Sequence, residues 1–186
     1  YSREWEEEAK RRGLPNRKNT VDAMECLKNE KNIQMFKRLG IYSEIELQAR
    51  YEILLENYNK TIQVEALTAL KMARNEIYPA ALSYLNQLTQ TSLHMKELNI
   101  GCDYVIDDVK NLSSLLSQMK NQMMILEKHI ERAQHVQDDI FEIAKIWRDD
   151  VLTTMNTLRE IVDSIENSVD EKYWPMPTYM DLLFGI

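Results

Sequence analysis

The side chains of this 186-residue chain with the potential for chemistry are carboxylates at helical spacing and three histidines. Glu52 and Glu56 are four residues apart, so a helix places both on one face, where paired carboxylates can bind a metal ion or transfer protons. Glu65 and Glu76 flank the apolar positions farther along the same segment. On a charged helix such carboxylates usually form a solvated face, and the sequence favours that interpretation.

The motifs that build a specific catalytic or cofactor site are missing from the sequence. A di-iron centre in a helical bundle needs Glu three residues before His, but Thr91, Leu126 and Arg132 stand at those positions before the three histidines. The glycines are isolated, so no phosphate-binding loop can form, and the two cysteines lack zinc spacing. We therefore predict no catalytic, cofactor-binding or metal-binding residue, and no enzyme activity for this chain alone.

Large apolar side chains are concentrated at the end of the chain, around two prolines. Pro175 and Pro177 disfavour helix, so we expect an extended segment before Thr178 caps a last helical turn. Apolar side chains at this density must be buried against something. Two alternatives stay open, because the tail can cover its own helices or dock on another domain or subunit. The candidate docking residues are Tyr173, Trp174, Met176, Tyr179, Leu182, Leu183 and Phe184.

Helical periodicity and the scarcity of helix breakers predict that an all-α fold carries these residues. The chain has only 4 Gly and 4 Pro. Ser43 and Glu46 form a capping-box pattern at the start of a long apolar repeat, which Pro79 is expected to kink. A second repeat, after Asp103, has a period of 3.5 residues, which is typical of coiled-coil-like packing. The predicted core positions are Leu47, Tyr51, Leu54, Tyr58, Ile62, Ala66, Leu70, Ala73, Ile77, Ala81, Leu85 and Leu88; Val105, Val109, Leu112, Leu116, Met119, Met123, Leu126, Ile130 and Ala133; and Ile140, Ala144, Trp147, Val151, Met155, Leu158, Val162, Ile165 and Val169.

We predict a single domain in which long antiparallel helices form a bundle over residues 43–172. The long helices are expected at about 43–99, 103–134 and 138–172, with two or three short helices in residues 1–42 and a docking tail at 173–186. The pattern turns polar near Gln137, and Asp138 can cap a new helix, which favours a turn there. One continuous helix from 103 to about 172 is the alternative.

The short helices have their own boundary signals. Ser2 can cap a helix over 3–12, which Gly13 ends, and Thr20 is the expected N-cap for 21–28. A third short helix is expected at 30–39, ending at Gly40.

Composition and charge limit the environment and the partners. The net charge is −7 with a pI near 5.1, so the average field repels nucleic acid. We predict neither a nucleic-acid nor a membrane role, since no apolar run approaches the roughly 20 residues that span a bilayer. Two unpaired-looking cysteines and no signal peptide are typical of a cytoplasmic protein. Because the chain begins with Tyr1 and not with Met, we expect either a fragment or a trimmed form of a protein.

Five segments in a fixed order carry a family resemblance. They read WEEEAKRRGLPN at 5–16, ELQARYEILLENY at 46–58, IYPAA at 77–81, LREIVDSIE at 158–166 and YWPMPTYMDLLF at 173–184. Together they resemble the C-terminal region of type III glutamine synthetases, the large bacterial form. The stretch from about 96 to 137 adds little to the resemblance.

The resemblance implies a parent enzyme that joins ammonia to glutamate at the expense of ATP, with Mg or Mn as divalent metal. It also implies a homo-oligomeric ring assembly, with the catalytic motifs upstream of this chain. The apolar tail and the absence of catalytic motifs lead us to expect a non-catalytic, structural role, with the rest of the enzyme chain and neighbouring subunits as partners. The alternatives are a regulatory docking module for a protein partner or effector, and a free-standing helical scaffold.

Overall fold

The computed structural model describes residues 3–137, 139–177 and 179–185, and within them it contains helices and no strand. The prediction of an all-α fold is confirmed. Two long helical stretches contain a π-helical turn each, so that α4 runs into α5 and α7 into α8 without a break. The helices are α1 Arg3–Arg11, α2 Thr20–Met24, α3 Glu30–Arg38, α4 Glu44–Met72, α5 Tyr78–Glu97, α6 Asp103–His135, α7 Ile140–Ile146, α8 Thr153–Glu166 and α9 Tyr179–Phe184, with 3-10 turns at Glu25–Lys28 and Glu171–Tyr173 and π-helical turns at Ala73–Ile77 and Trp147–Leu152.

The chain forms two compact units. Unit 1 comprises Tyr1–Thr61 and Gln137–Arg148, and unit 2 comprises Ile62–Val136 and Asp149–Ile186. The single domain, with the boundaries expected from the sequence, stays a prediction.

The core of unit 1 forms where the short helix α2 packs against α7. Val21, Tyr51, Leu55 and Ala144 are buried there. The prediction of Leu54 as the core residue is wrong, because Leu54 is 43% exposed whereas Leu55 is fully buried. Partly buried side chains complete the cluster, namely Met24, Leu27, Tyr58, Ile140 and Phe141.

A polar cluster fixes the start of α2 in unit 1. Asn19, rather than Thr20 as predicted, is the N-cap, and its Oδ1 accepts a hydrogen bond from the backbone N–H of Asp22 at 2.9 Å. The Asn19 amide also donates to Asp22 Oδ2 at 2.7 Å, and Arg148 Nη1 lies 2.6 Å from Asp22 Oδ1. The Asn19 hydrogen bond, reinforced by Arg148, lowers the pKa of the Asp22 carboxyl, against an opposing effect of desolvation.

The capping box predicted at Ser43 and Glu46 is present at the start of α4. The backbone N–H and hydroxyl of Ser43 donate to Glu46 Oε2 at 2.7 and 2.8 Å, and the Glu46 N–H reaches Ser43 Oγ at 3.3 Å. The hydrogen bonds from Ser43 lower the pKa of Glu46. Because these bonds satisfy amides that have no partner inside the helix, they define where α4 begins.

In unit 2 the helix α6 lies between α5 and α8 and packs on both. Its predicted stripe is confirmed, because every predicted position is buried except Val109, which is half-buried. The α6 helix ends at His135, and α7 begins at Ile140 with Asp139 as its N-cap. The chain therefore leaves the helix between these two residues. The predicted caps Ser2, Asp138 and Thr178 lie outside the described residues.

The π-helical turn before α5 is explained by Pro79. Proline has no N–H to donate to the carbonyl four residues earlier, here that of Asn75, and its ring crowds that carbonyl. The wider turn at Ala73–Ile77 removes this conflict, and Tyr78 donates to the carbonyl of Ala73 five residues back. The helix thus passes the proline without ending.

The second π-helical turn presents a carbonyl to α6 within unit 2. The hydroxyl of the buried Thr154 donates to the carbonyl of Asp150 at 2.6 Å, and His129 Nδ1 lies 2.9 Å from that hydroxyl and 3.2 Å from that carbonyl. Because the carbonyl only accepts, a hydrogen on Nδ1 lets the imidazole donate to either oxygen. Arg132 adds an ion pair to the Asp150 side chain at 2.8 Å.

Because folding lowers the pKa of Asp22, we expect the chain to lose stability as the pH falls into the acid range. A carboxyl whose pKa is lowered by folding stabilises the fold above its unfolded pKa of about 3.9, and this contribution is lost as pH falls through the folded value. We expect Asp22→Asn to lower the urea midpoint at neutral pH and to flatten its decline below about pH 4. The control is Asp163→Asn, whose exposed ion pair with Arg159 spans 3.8 Å. Equal losses in both variants at neutral pH would contradict the assignment.

Candidate docking surface

The first half of the predicted tail packs on unit 2. The Tyr173 hydroxyl donates to Gln87 Oε1, and its ring lies 5.5 Å from that of Tyr84 at a tilt of 50°. Tyr173, Trp174 and Met176 are all half-buried. The indole N–H of Trp174 is buried and has no hydrogen-bond partner among the described residues. This half of the tail therefore covers its own helices, which is one of the two alternatives left open by the sequence.

The second half of the tail exposes its apolar side chains. In α9 the exposed fractions are 68% for Leu182, 72% for Leu183 and 63% for Phe184. The backbone of Tyr179 lies in the same helix, but its side chain is outside the described residues. The predicted docking residues thus form two groups: an anchored one before Pro177, and one in α9 that has little cover within unit 2.

Sequence reasoning missed a further exposed apolar group, in unit 1. Ile45 is 82% exposed and Ile53 54%, and a cavity near Ile45 is also lined by Leu27 and Ile33. These positions lie off the apolar stripe that fills the core. The only sequence signal for them is an isoleucine on a face otherwise expected to be polar.

The carboxylates with the strongest sequence pattern have ordinary surface partners. Glu56 pairs with Lys60 at 2.8 Å, and Glu52 accepts a hydrogen bond from Gln48 at 2.6 Å. Within residues 3–137, 139–177 and 179–185, no group of three or more His, Cys, Asp and Glu side chains is placed to hold a metal ion. No helix in the same ranges combines the length and apolar character needed to cross a membrane.

A recessed polar cavity of about 280 Å³ opens in unit 2, beside the anchored part of the tail. Its wall combines residues of α5, the first turns of α6 and the C-terminal end of α8. No sequence pattern predicts this cavity, because its lining residues are far apart in the chain. The lining residues are Tyr84, Leu88, Asp108, Asn111, Leu112, Asn167 and Ser168.

The comparison with known proteins decides the family. The model of the glutamine synthetase C-terminal domain matches residues 1–96. The chain belongs to this family. It is 34% identical to a glutamine synthetase of Butyrivibrio fibrisolvens and 30% identical to one of Bacteroides fragilis (strain YCH46). These matches cover 100% and 99% of the chain, but only 27% and 26% of the two relatives.

A third relative connects the chain to the type III enzymes. The type-3 glutamine synthetase of Dictyostelium discoideum is 28% identical over 99% of the chain, which is 26% of that protein. The chain therefore spans about a quarter of the length of the relatives it matches, in their C-terminal part. The resemblance to the C-terminal region of type III glutamine synthetases is confirmed.

The contacts of Tyr173 predict how firmly this glutamine synthetase domain holds its tail. Tyr173→Ala removes both the hydrogen bond to Gln87 and the ring contact with Tyr84, so we expect trypsin to cut after Lys172 several-fold faster. Tyr173→Phe keeps the ring contact and should show a smaller increase. The control is Tyr104→Ala, which removes a tyrosine that is 66% exposed. Unchanged cleavage in Tyr173→Ala would contradict the anchoring role.

Proposed function

We propose that this chain is a non-catalytic structural domain that supports the oligomer of a type III glutamine synthetase. The parent enzyme would be a cytoplasmic ligase that joins ammonia to glutamate with ATP and a divalent metal, Mg or Mn. We assign no catalytic, cofactor or metal residue to this chain. The partners would be the remainder of the enzyme chain and its neighbouring subunits, reached through α9.

The observation that carries the proposal is the exposure of Leu182, Leu183 and Phe184 directly after an anchored segment. Burying a side chain of this kind contributes about 1.5–3 kcal/mol. Three together contribute several kcal/mol, and each 1.4 kcal/mol changes an association constant about tenfold. Because Tyr173 holds the preceding segment on unit 2, part of the ordering cost of docking is met before the partner binds.

The short length of α9 supports the same proposal. The helix has six residues, and helices below about 12 residues are marginal in water without packing. Its consecutive apolar side chains give it the means to pack on a partner surface. A helix laid into an apolar groove is a recurrent mode of protein recognition.

The test is a triple change, Leu182→Ser with Leu183→Ser and Phe184→Ser, in the full-length enzyme. We expect light scattering to show a dissociated assembly, because the apolar contact is lost. The control is Leu98→Ser, at a position that is 70% exposed between α5 and α6. An assembly that keeps its mass and activity in the triple variant would refute the proposed function.

A further inference from the structure

We infer that the polar cavity beside Tyr84 is a second docking point, which receives the cationic end of an arginine or lysine side chain from a neighbouring glutamine synthetase subunit, from the part of that subunit outside these 186 residues. The inference rests on the proposed function and names the chemistry of its partner. The cavity of about 280 Å³ can hold one long side chain. The apolar residues in its lining, Leu88 and Leu112, suit the aliphatic stem of such a side chain.

The hydrogen-bonding groups of the cavity favour a donor as the occupant. Asn167 Nδ2 donates to the carbonyl of Asp163 at 2.8 Å, and the Ser168 hydroxyl donates to the carbonyl of Ser164 at 3.0 Å. One amide hydrogen of Asn167 and the hydroxyl hydrogen of Ser168 are thus directed back to α8, so the Asn167 Oδ1 and the lone pairs of Ser168 Oγ remain as acceptors. The cavity therefore matches guanidinium and ammonium groups, which donate hydrogen bonds and do not accept them.

The charge around the cavity favours a cation. The side chain of Asp108 is exposed and has no ion pair or hydrogen bond within residues 3–137, 139–177 and 179–185. The neighbouring Asp107, by contrast, pairs with Lys110 at 3.0 Å. Asn167 and Ser168 follow the last turn of α8, where the helix dipole places partial negative charge. A carboxylate and a helix C-terminus thus meet at one cavity.

The net charge of unit 2 as a whole also favours a cationic occupant. Unit 2 contains 9 basic residues (Lys and Arg) and 16 acidic residues (Asp and Glu), so its net charge is −7. Unit 1 contains 14 basic and 14 acidic residues, so its charges balance. The potential over unit 2 therefore attracts a basic segment and steers its approach. The relatives have about three quarters of their length outside the matched region. The proposed basic side chain belongs to the corresponding part of this protein.

The decisive variant is Asp108→Asn in the full-length enzyme, with Asp107→Asn as the matched control. We expect the dissociation constant of the assembly to rise about tenfold in Asp108→Asn, as for loss of one charge-assisted contact. The wild-type assembly should weaken as NaCl is raised from about 0.05 to 0.5 M, since salt screens charge pairs. This salt dependence should be shallower in Asp108→Asn and unchanged in Asp107→Asn.

Each result supports or overturns the inference. If the dissociation constant of the assembly is the same in Asp108→Asn as in Asp107→Asn, the cationic contact does not exist. The same conclusion follows if Asp108→Asn weakens the assembly without changing its salt dependence. If the α9 triple variant dissociates the enzyme while Asp108→Asn does not, the proposed function stands and this inference fails alone. A photoreactive residue in place of Asn111 should cross-link to a peptide outside residues 1–186. A cross-link to the same 186 residues of another copy would overturn the assignment of the occupant.

Discussion

Unit 2 depends on the burial of one apolar stripe along α6. At 1.5 Å per residue, the helix from Asp103 to His135 is about 50 Å long, and α5 and α8 both pack on it. The stripe stays on one side of α6 because its positions alternate between steps of four and three residues, as in a coiled-coil seam. Since each buried leucine, isoleucine or methionine contributes about 1.5–3 kcal/mol, the bundle is held by many similar contacts.

Each of the two long helical stretches contains one π-helical turn. Each turn accommodates one additional residue within an otherwise continuous helix. At Ala73–Ile77 the additional residue relieves the conflict at Pro79. At Trp147–Leu152 the Asp150 carbonyl accepts a hydrogen bond from the Thr154 hydroxyl and lies 3.2 Å from His129 Nδ1.

The sequence was sufficient for the features that depend on local spacing or on one strong stripe. The all-α class, the capping box at Ser43 and the buried face of α6 all belong to this group. Prediction from the sequence failed where two adjacent residues suited the same structural position equally well. Leu54 and Leu55 both fit steps of three or four, and only the packing of Val21, Tyr51 and Ala144 selects Leu55. Asn19 and Thr20 are likewise both good N-caps, and the bond to Asp22 decides between them.

The candidate surfaces were harder to predict, because they depend on which residues meet across helices. Composition alone indicated that the tail must be covered, but it could not separate the anchored Tyr173 from the exposed Phe184. The polar cavity could not be predicted because it forms only where α5, α6 and the end of α8 pack together and bring Asp108 close to Asn167 and Ser168. In the proposed docking, the two surfaces do different physical work. Apolar burial at α9 contributes affinity without direction, whereas a charge-assisted contact at Asp108 selects one orientation of the partner.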